Sequence, residues 1–390
     1  MTAASANIRP LHLCYVCNEY PPAPHGGIGS FTQTLGRELV KLGHRVTIVG
    51  LYPDELAGVS QDEGVRIVRL SRRGFPLVRF FTNRQKLAAT LQSIHGEHPI
   101  DIIEGGELDI YVVPHAFPAV KLLRMHGGPT FFETGNRLQM WKEKWSFQVA
   151  DELCAVSRSV AEGTTRMLSL GSRPVEVIYN PIDTALFAPA AADLPEEDGL
   201  IVFAGTVSER KGIVQLIQAM PRIVEQVPQA RLEVYGGEVI DPPPPKPLIP
   251  QLLEMLPPAA AAHVEFKGRV SRSVLPQAIQ RASVCVYPSH FEAMPLAWLE
   301  GLAAGKAVVA SQTGPGPEVI EDGVTGLLCN PRDADSIAAA LIRVLKDPDL
   351  RRRLGSKARE DVKLRFELHM IVRQNEEYYR RLVQGRHSRS

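Results

Sequence analysis

Twice in this chain a short apolar run leads through a glycine-bearing loop into a helical pattern and out to a second apolar run. In the first, Leu11 to Cys17 passes through Asn18 to Gly29, rich in Pro and Gly, into Phe31 to Leu42 and then Arg45 to Gly50. In the second, Leu200 to Ala204 passes through Gly205 to Gly212 into Ile213 to Val227 and then Arg231 to Tyr235. Strand, loop, helix and strand in that order make a βαβ unit, whose parallel strands are buried by helices on both faces. Two such units imply two doubly wound α/β domains. Further strands are expected at Val65 to Leu70, Ile100 to Glu104, Lys121 to His126 and Glu152 to Val156. A helix is expected over Phe131 to Ala150, with Trp141 and Trp145 on one face.

At 390 residues the chain suits two domains of about 150 to 200 residues. The boundaries read as 1–185 and 186–363, with a closing amphipathic helix from about Leu364 to Leu382 in the segment 364–390. A net charge of +1 provides no global field for nucleic acid. The local basic runs Arg69 to Arg84 and Arg351 to Arg365 read as solvated faces. No apolar run reaches the length of about 20 residues a membrane span needs, and Met1 to Pro10 lacks a signal-peptide apolar region. A cytoplasmic location is expected. Five cysteines give no disulfide framework. Cys14 and Cys17 fall on opposite faces of a strand and read as core. Asp241 to Pro250, with four consecutive prolines, reads as a surface insertion in the second domain.

Two carboxylates, Glu292 and Glu300, lie between the strongly β-forming runs Ser283 to Tyr287 and Ala307 to Ala310. Open α/β sheets bind ligands beyond the carboxyl ends of their strands, where helix N-termini favour anions. Gly26 to Ser30 stands between a strand and a helix, where a backbone without Cβ atoms can approach a phosphate. On its own this glycine turn reads as a tight turn that lets helix and sheet pack. Arg210 and Lys211 precede a helix, where cations can stabilise a departing diphosphate; a bare Glu-Arg-Lys run is more often solvated. His126 ends an apolar strand, and a lone histidine there is more often structural than catalytic. Asp333-Ala334-Asp335 fits a metal-binding pattern but opens a late helix, where acidic residues serve as caps. A glycosidase pair is rejected for Glu292 and Glu300, because both lie on one short loop-helix segment and cannot readily flank a glycosidic bond.

Glu292, seven residues and Glu300 resemble the hallmark of the retaining nucleotide-sugar glycosyltransferases of family 4. The stretches Val177 to Asp183, Phe266 to Val270 and Pro317 to Leu328 are similar to that family as well. The resemblance implies the GT-B fold, two Rossmann-like doubly wound domains facing a deep interdomain cleft, with the C-terminal helix crossing back onto the first domain. It also implies catalytic roles for His126, facing the donor sugar, for Lys211 at the diphosphate, and for Glu292 at the sugar hydroxyls. Donor-binding roles follow for Gly26 and Gly27 against the diphosphate, Arg210 beside Lys211, the backbone of Val270 at the base, and Glu300 at the ribose. The backbone from Ala293 through Met294 and Pro295 to Leu296 would hold sugar and phosphate oxygens.

The chain departs from the family pattern at two points. Thr206 replaces an Arg, and Ala293-Met294-Pro295 replaces a Phe-Gly pair, with Pro295 lacking an N–H.

The implied reaction moves a sugar, with retention, from a nucleoside diphosphate sugar to an acceptor hydroxyl. A UDP-sugar is favoured over a GDP- or ADP-sugar, and the acceptor is a glycan, a lipid-linked molecule or a small molecule. The setting is polysaccharide or glycoconjugate biosynthesis, with no metal, no further cofactor and no nucleic acid. Competing readings are an epimerase or pyridoxal-dependent phosphorylase on the same architecture, and a non-catalytic sugar-nucleotide or glycan binder. The cations and aromatics of Arg72 to Phe81 fit either peripheral contact with the inner face of a membrane or an ordinary loop over the cleft.

Overall fold

The computed structural model describes residues 9–72, 79–189, 195–238, 247–271 and 273–387. Residues 1–8, 73–78 of the basic and aromatic stretch, and 241–246 of the anticipated insertion lie outside them. The chain divides into two compact units, one of Met1–Asn180 with His369–Ser390 and one of Pro181–Leu368.

The first unit holds β1 (His12–Val16), β2 (Arg45–Tyr52), β3 (Gly58–Asp62), β4 (Val65–Ser71), β5 (Ile102–Gly105), β6 (Val120–Met125), β7 (Glu152–Ala155) and β8 (Glu176–Val177). They form one sheet in the order β3-β4-β2-β1-β5-β6-β7-β8. All pairs are parallel except β3 with β4. β1 and β6 are buried along their whole length, as parallel strands covered on both faces require. β3 is almost wholly exposed; it is the antiparallel edge that sequence reading missed, because a polar edge strand has no apolar run to mark it.

The second unit holds β9 (Leu200–Ala204), β10 (Arg231–Tyr235), β11 (Val264–Gly268), β12 (Val284–Tyr287), β13 (Ala307–Ser311) and β14 (Leu327–Cys329). Their order is β11-β10-β9-β12-β13-β14, parallel throughout. The helix Ile213–Gln226 buries Ile213, Leu216, Ile217, Met220 and Ile223, one stripe at 3.6-residue spacing, into the main core of this unit.

Three helices differ from the expected spans. The one expected from Phe31 to Leu42 runs from Gly27 to Lys41, so Gly27 to Ser30 form its first turn and not the loop before it. The helix carrying Trp141 and Trp145 begins at Arg137, not Phe131. Glu133 and Gly135 have φ of 52° and 92°, conformations no α-helix contains. Asn136 then caps the helix, exchanging bonds with Gln139 in a capping box. The two indoles do share a face, with centroids 4.8 Å apart. The C-terminal segment forms two helices, Pro348–Arg365 and Leu368–His387. Between them Phe366 is buried, and Ile182 pairs with the backbone on either side of Glu367, which ends the first helix.

The helix Leu368–His387 is fixed to the first sheet by a buried network. Arg124 of β6 donates to Glu104 of β5 at 2.6 and 3.2 Å, to Asn375 at 2.6 Å and to Tyr379 at 3.3 Å. Tyr379 also donates to Glu104 at 2.7 Å. All five cysteines are free and buried, and burial pushes the thiols of Cys14 and Cys17 up to about 12. No helix among the described residues is long and apolar enough to cross a membrane.

Candidate functional site

In each sheet the first strand lies between its successor and a later strand: β1 between β2 and β5, β9 between β10 and β12. The connections diverge to opposite sides there, so the loops beyond the carboxyl ends part and leave a crevice for a ligand.

In the second unit the loops after β9 and β12 are stitched together. Gly205 and Val207 donate to the carbonyls of Tyr235, the last residue of β10, and of Gly237 beyond it, at 2.8 and 2.9 Å. A single turn, Glu209–Lys211, then ends at Gly212. Gly212 has φ of 71°, and a Cβ there would collide with the carbonyl oxygen of Pro288 in the loop after β12. Only glycine meets both demands. Further along, His290 N–H donates to the Arg210 carbonyl at 2.8 Å, and Arg210 Nη1 donates to the Phe291 carbonyl at 3.0 Å. His290 Nε2 lies 3.1 Å from the Pro331 carbonyl, so that nitrogen carries a proton.

This stitching sets the charges. Lys211 Nζ lies 2.5 Å from Glu292 Oε1, and Arg210 Nη1 lies 3.9 Å from Oε2. Glu292 is 8% exposed. Two cations face one carboxylate at a sheet crevice, an arrangement that attracts an anion while offering an acceptor for hydroxyl groups. Ala293 and Met294 are buried, and Pro295 caps the helix Leu296–Ala303. Pro295 brings no N–H, so the orphan donors of this helix start at Leu296 and Ala297. Glu300 lies in the second turn of this helix, 9% exposed. Val270 follows the end of β11 on the same edge of the sheet and is half-buried. Arg210, Lys211, Glu292 and the helix start carrying Glu300 are thus adjacent.

Tyr287, the last residue of β12, escaped sequence reasoning because a tyrosine in an apolar run looks like core. It is 2% exposed, and among the described residues its hydroxyl meets the Cys285 thiol but no oxygen or nitrogen partner. Burial raises its pKa well above the ordinary value, with Cys285 and Glu300 adding to the effect. A buried hydroxyl without such a partner costs about 1–3 kcal/mol and commonly marks a place where a ligand or water completes the bond.

The remaining sequence candidates lie in the first unit. Gly26 caps the helix Gly27–Lys41. Glu19 Oε1 accepts from Gly29 N–H at 2.6 Å and Gly26 N–H at 3.3 Å, so a carboxylate already occupies the anion-favouring end of this helix. His126 follows β6, its ring edge-on to Phe31 with centroids 5.2 Å apart. Burial, and then Arg124, push its pKa down to about 3. The imidazole is neutral near pH 7 and can exchange hydrogen bonds, but it is no proton reservoir there. Glu107 accepts from Gly127 N–H at 2.9 Å, and burial lifts its carboxyl to about 7. Glu143, fully buried, accepts from Thr130 N–H and Oγ1–H at 3.0 and 2.5 Å. These two carboxyls fix the strand end that carries His126.

Asp333 and Asp335 are accounted for structurally: Asp333 accepts from Asp335 N–H at 2.9 Å as a helix cap, and Asp335 pairs with Arg222 at 2.7 Å. Of the stretch Arg72 to Phe81, Phe80 stacks on Tyr111 at 5.7 Å while Phe81 is 63% exposed.

Residues 187–361 match the family model described as glycosyl transferases group 1, and residues 25–186 match that described as glycosyltransferase family 4. A glycogen synthase of Mycobacterium tuberculosis is 26% identical, across 95% of this chain and 94% of its own. Among solved structures, the sucrose-phosphate synthase of Thermosynechococcus elongatus superposes with a TM-score of 0.82 at 24% identity, covering 96% of this chain and all of that one. The HepE protein of Anabaena, solved with UDP and glucose, superposes with a TM-score of 0.74 at 15% identity, covering 94% of this chain and 99% of that one. The fold is GT-B: two parallel-sheet, Rossmann-like domains.

Proposed function

This chain belongs to the group 1 and family 4 glycosyltransferases, and from that premise we propose that it transfers a sugar from a nucleoside diphosphate sugar to a hydroxyl acceptor, with retention and without metal. The observation that carries the reading is the Lys211–Glu292 pair, which joins the loops on either side of the β9/β12 crevice. Lys211, with Arg210, neutralises the diphosphate as it departs; the charge they stabilise grows only as the bond breaks, so they favour the transition state. Glu292 accepts hydrogen bonds from hydroxyls of the transferred sugar, and Glu300 accepts from the ribose. Val270 backs the base through its main chain. The N–H groups opening the helix Leu296–Ala303 receive the remaining phosphate or sugar oxygens.

In the first unit, neutral His126 bonds a hydroxyl of the transferred sugar and orients the ring. Gly26 and Gly27 lie against the diphosphate, in exchange for the contact Glu19 now makes with the same helix end. The acceptor's proton passes to an oxygen of the departing diphosphate, so no enzyme nucleophile is required. A UDP-sugar is the favoured donor, in line with the UDP and glucose bound by the Anabaena neighbour. The acceptor is a glycan, a lipid-linked molecule or a small molecule, in polysaccharide or glycoconjugate biosynthesis.

Nucleotide release from UDP-, GDP- and ADP-sugars, measured in EDTA with and without acceptor sugars, tests this reading. Release from one donor, with an α-linked product from an α-linked donor, is expected. An inverted product or an absolute need for a divalent metal would contradict it.

A further inference from the structure

The far end of the helix that carries Glu300 borders a cavity of about 410 Å³ at the amino end of β13. It is therefore at the opposite edge of the sheet from the β9/β12 crevice. Five cations and two carboxylates line it. Arg352, Ser356, Arg359 and Lys363 come from one face of the helix Pro348–Arg365, at spacings of three and four. The floor is bare main chain: a Cβ on Gly355 would collide with the Gly305 carbonyl oxygen, so helix and turn touch backbone to backbone and the space above stays open.

The cations are of three kinds. Arg352 is exposed and pairs at the rim with Asp349. Lys306 and Arg351, both 8% exposed, share Glu196 at 3.1 and 2.9 Å. Arg359 donates to the carbonyls of Thr184 and Phe187, each at 3.4 Å, and to that of Ala303 at the helix end. These carbonyl bonds hold its guanidinium in place without neutralising it. Among the described residues neither Arg359 nor Lys363 has a carboxylate partner. Glu360, the second lining carboxylate, pairs outward with Lys357 at 2.7 Å.

A small cavity with excess fixed positive charge, guanidinium forks and a serine hydroxyl fits a phosphoryl group. Its volume lies in the range of small-molecule sites and exceeds what a bare inorganic ion fills. Among the described residues Pro189 and Ala307 are its apolar lining and no aromatic ring lines it, so a nucleobase finds no stacking surface there and the rest of the ligand is itself polar. We propose that this cavity binds a small polyhydroxylated phosphate ester, its phosphoryl group on Arg359, Lys363 and Arg352 and its hydroxyls toward Glu196 and the Gly305–Gly355 floor. The site is separate from the donor crevice and independent of the donor reading. Its occupant would bear on the turn between the Glu300 helix and β13.

Calorimetric titration of the full chain with ribose 5-phosphate, and separately with inorganic phosphate, at constant ionic strength tests the assignment. Ribose 5-phosphate is expected to bind wild type and Lys211→Ala alike, and more tightly than inorganic phosphate. Binding should weaken about tenfold or more in Arg352→Gln/Lys363→Gln, a loss of charged hydrogen bonds. Both of these side chains are exposed, so the variant keeps its fold. Three results would overturn the proposal: no binding at millimolar concentration, inorganic phosphate binding as tightly as the ester, or binding lost in Lys211→Ala but kept in the double variant.

Discussion

Replacing Glu104 by Gln should loosen the C-terminal helix from the first unit. Arg124 is fully buried, and Glu104 is 5% exposed at its side chain. Arg124 stays charged, since burial lowers its pKa but Cys154, Glu104 and Tyr379 more than restore it. A glutamine keeps one acceptor, brings an N–H₂ group against guanidinium donors and removes the only carboxylate Arg124 touches among the described residues. Leaving a buried charge without its partner costs about 3–5 kcal/mol, a large part of the roughly 5–15 kcal/mol that holds a protein folded.

Two units do not melt as one two-state transition, so hydrogen exchange in the native protein is the assay. Amides of Leu368–His387 should exchange about a hundredfold faster or more in Glu104→Gln. Glu104→Leu with Arg124→Met removes both charges and should recover most of the loss. If the single variant exchanges within about threefold of wild type, a shift below 1 kcal/mol, the pair does not anchor this helix and the argument fails.

Gly212→Ala faces a positive φ and the Pro288 carbonyl together; strain of about 1–2 kcal/mol from φ alone, plus the collision, should part the two loops, and titration should show donor affinity lost while the first unit's exchange is unchanged. Glu107 has a pKa raised from 4.5 to about 7 by burial, so the folded state holds its proton more tightly than the unfolded one. Its stabilising contribution is full below pH 4.5 and is lost as pH rises through 7, by about 3 kcal/mol; Glu107→Gln should flatten that slope in pH-dependent unfolding of the first unit, and an unchanged slope would refute it. Tyr287→Phe removes a buried hydroxyl that has no oxygen or nitrogen partner among the described residues and should leave thermal stability equal or higher, by up to about 1 kcal/mol, while slowing donor turnover; unchanged turnover would mean that the hydroxyl meets no ligand.

The sheets were legible because continuous runs such as Leu200 to Ala204 and Ala307 to Ala310 are what fully buried parallel strands require. The polar edge strand Gly58–Asp62 was not, because its pairing with Val65–Ser71 comes from backbone geometry rather than side-chain pattern. Helix ends failed where a local device outweighs periodicity: the capping box at Asn136, and the pairing of Ile182 around Glu367. In the candidate site, Lys211, Glu292 and Glu300 could be found from motif spacing. The contact that assembles them could not, because Gly212 against Pro288 joins residues far apart in the chain and neither is unusual alone. Glu19 at the Gly26 helix end and the buried Tyr287 hydroxyl are likewise matters of geometry. The cations around Arg359 looked like a solvated face, and only the bare Gly305–Gly355 contact shows the cavity they enclose.

The most direct test of the account is hydrogen exchange of wild type with and without the nucleoside diphosphate of whichever donor is turned over, repeated with Glu292→Gln under the intact donor. Protection by the diphosphate should centre, within the second unit, on 205–212 and 288–300, and release from the donor should fall roughly a hundredfold or more in the variant. Protection that spares both loops, or a variant that turns over donor at the wild-type rate, would contradict it.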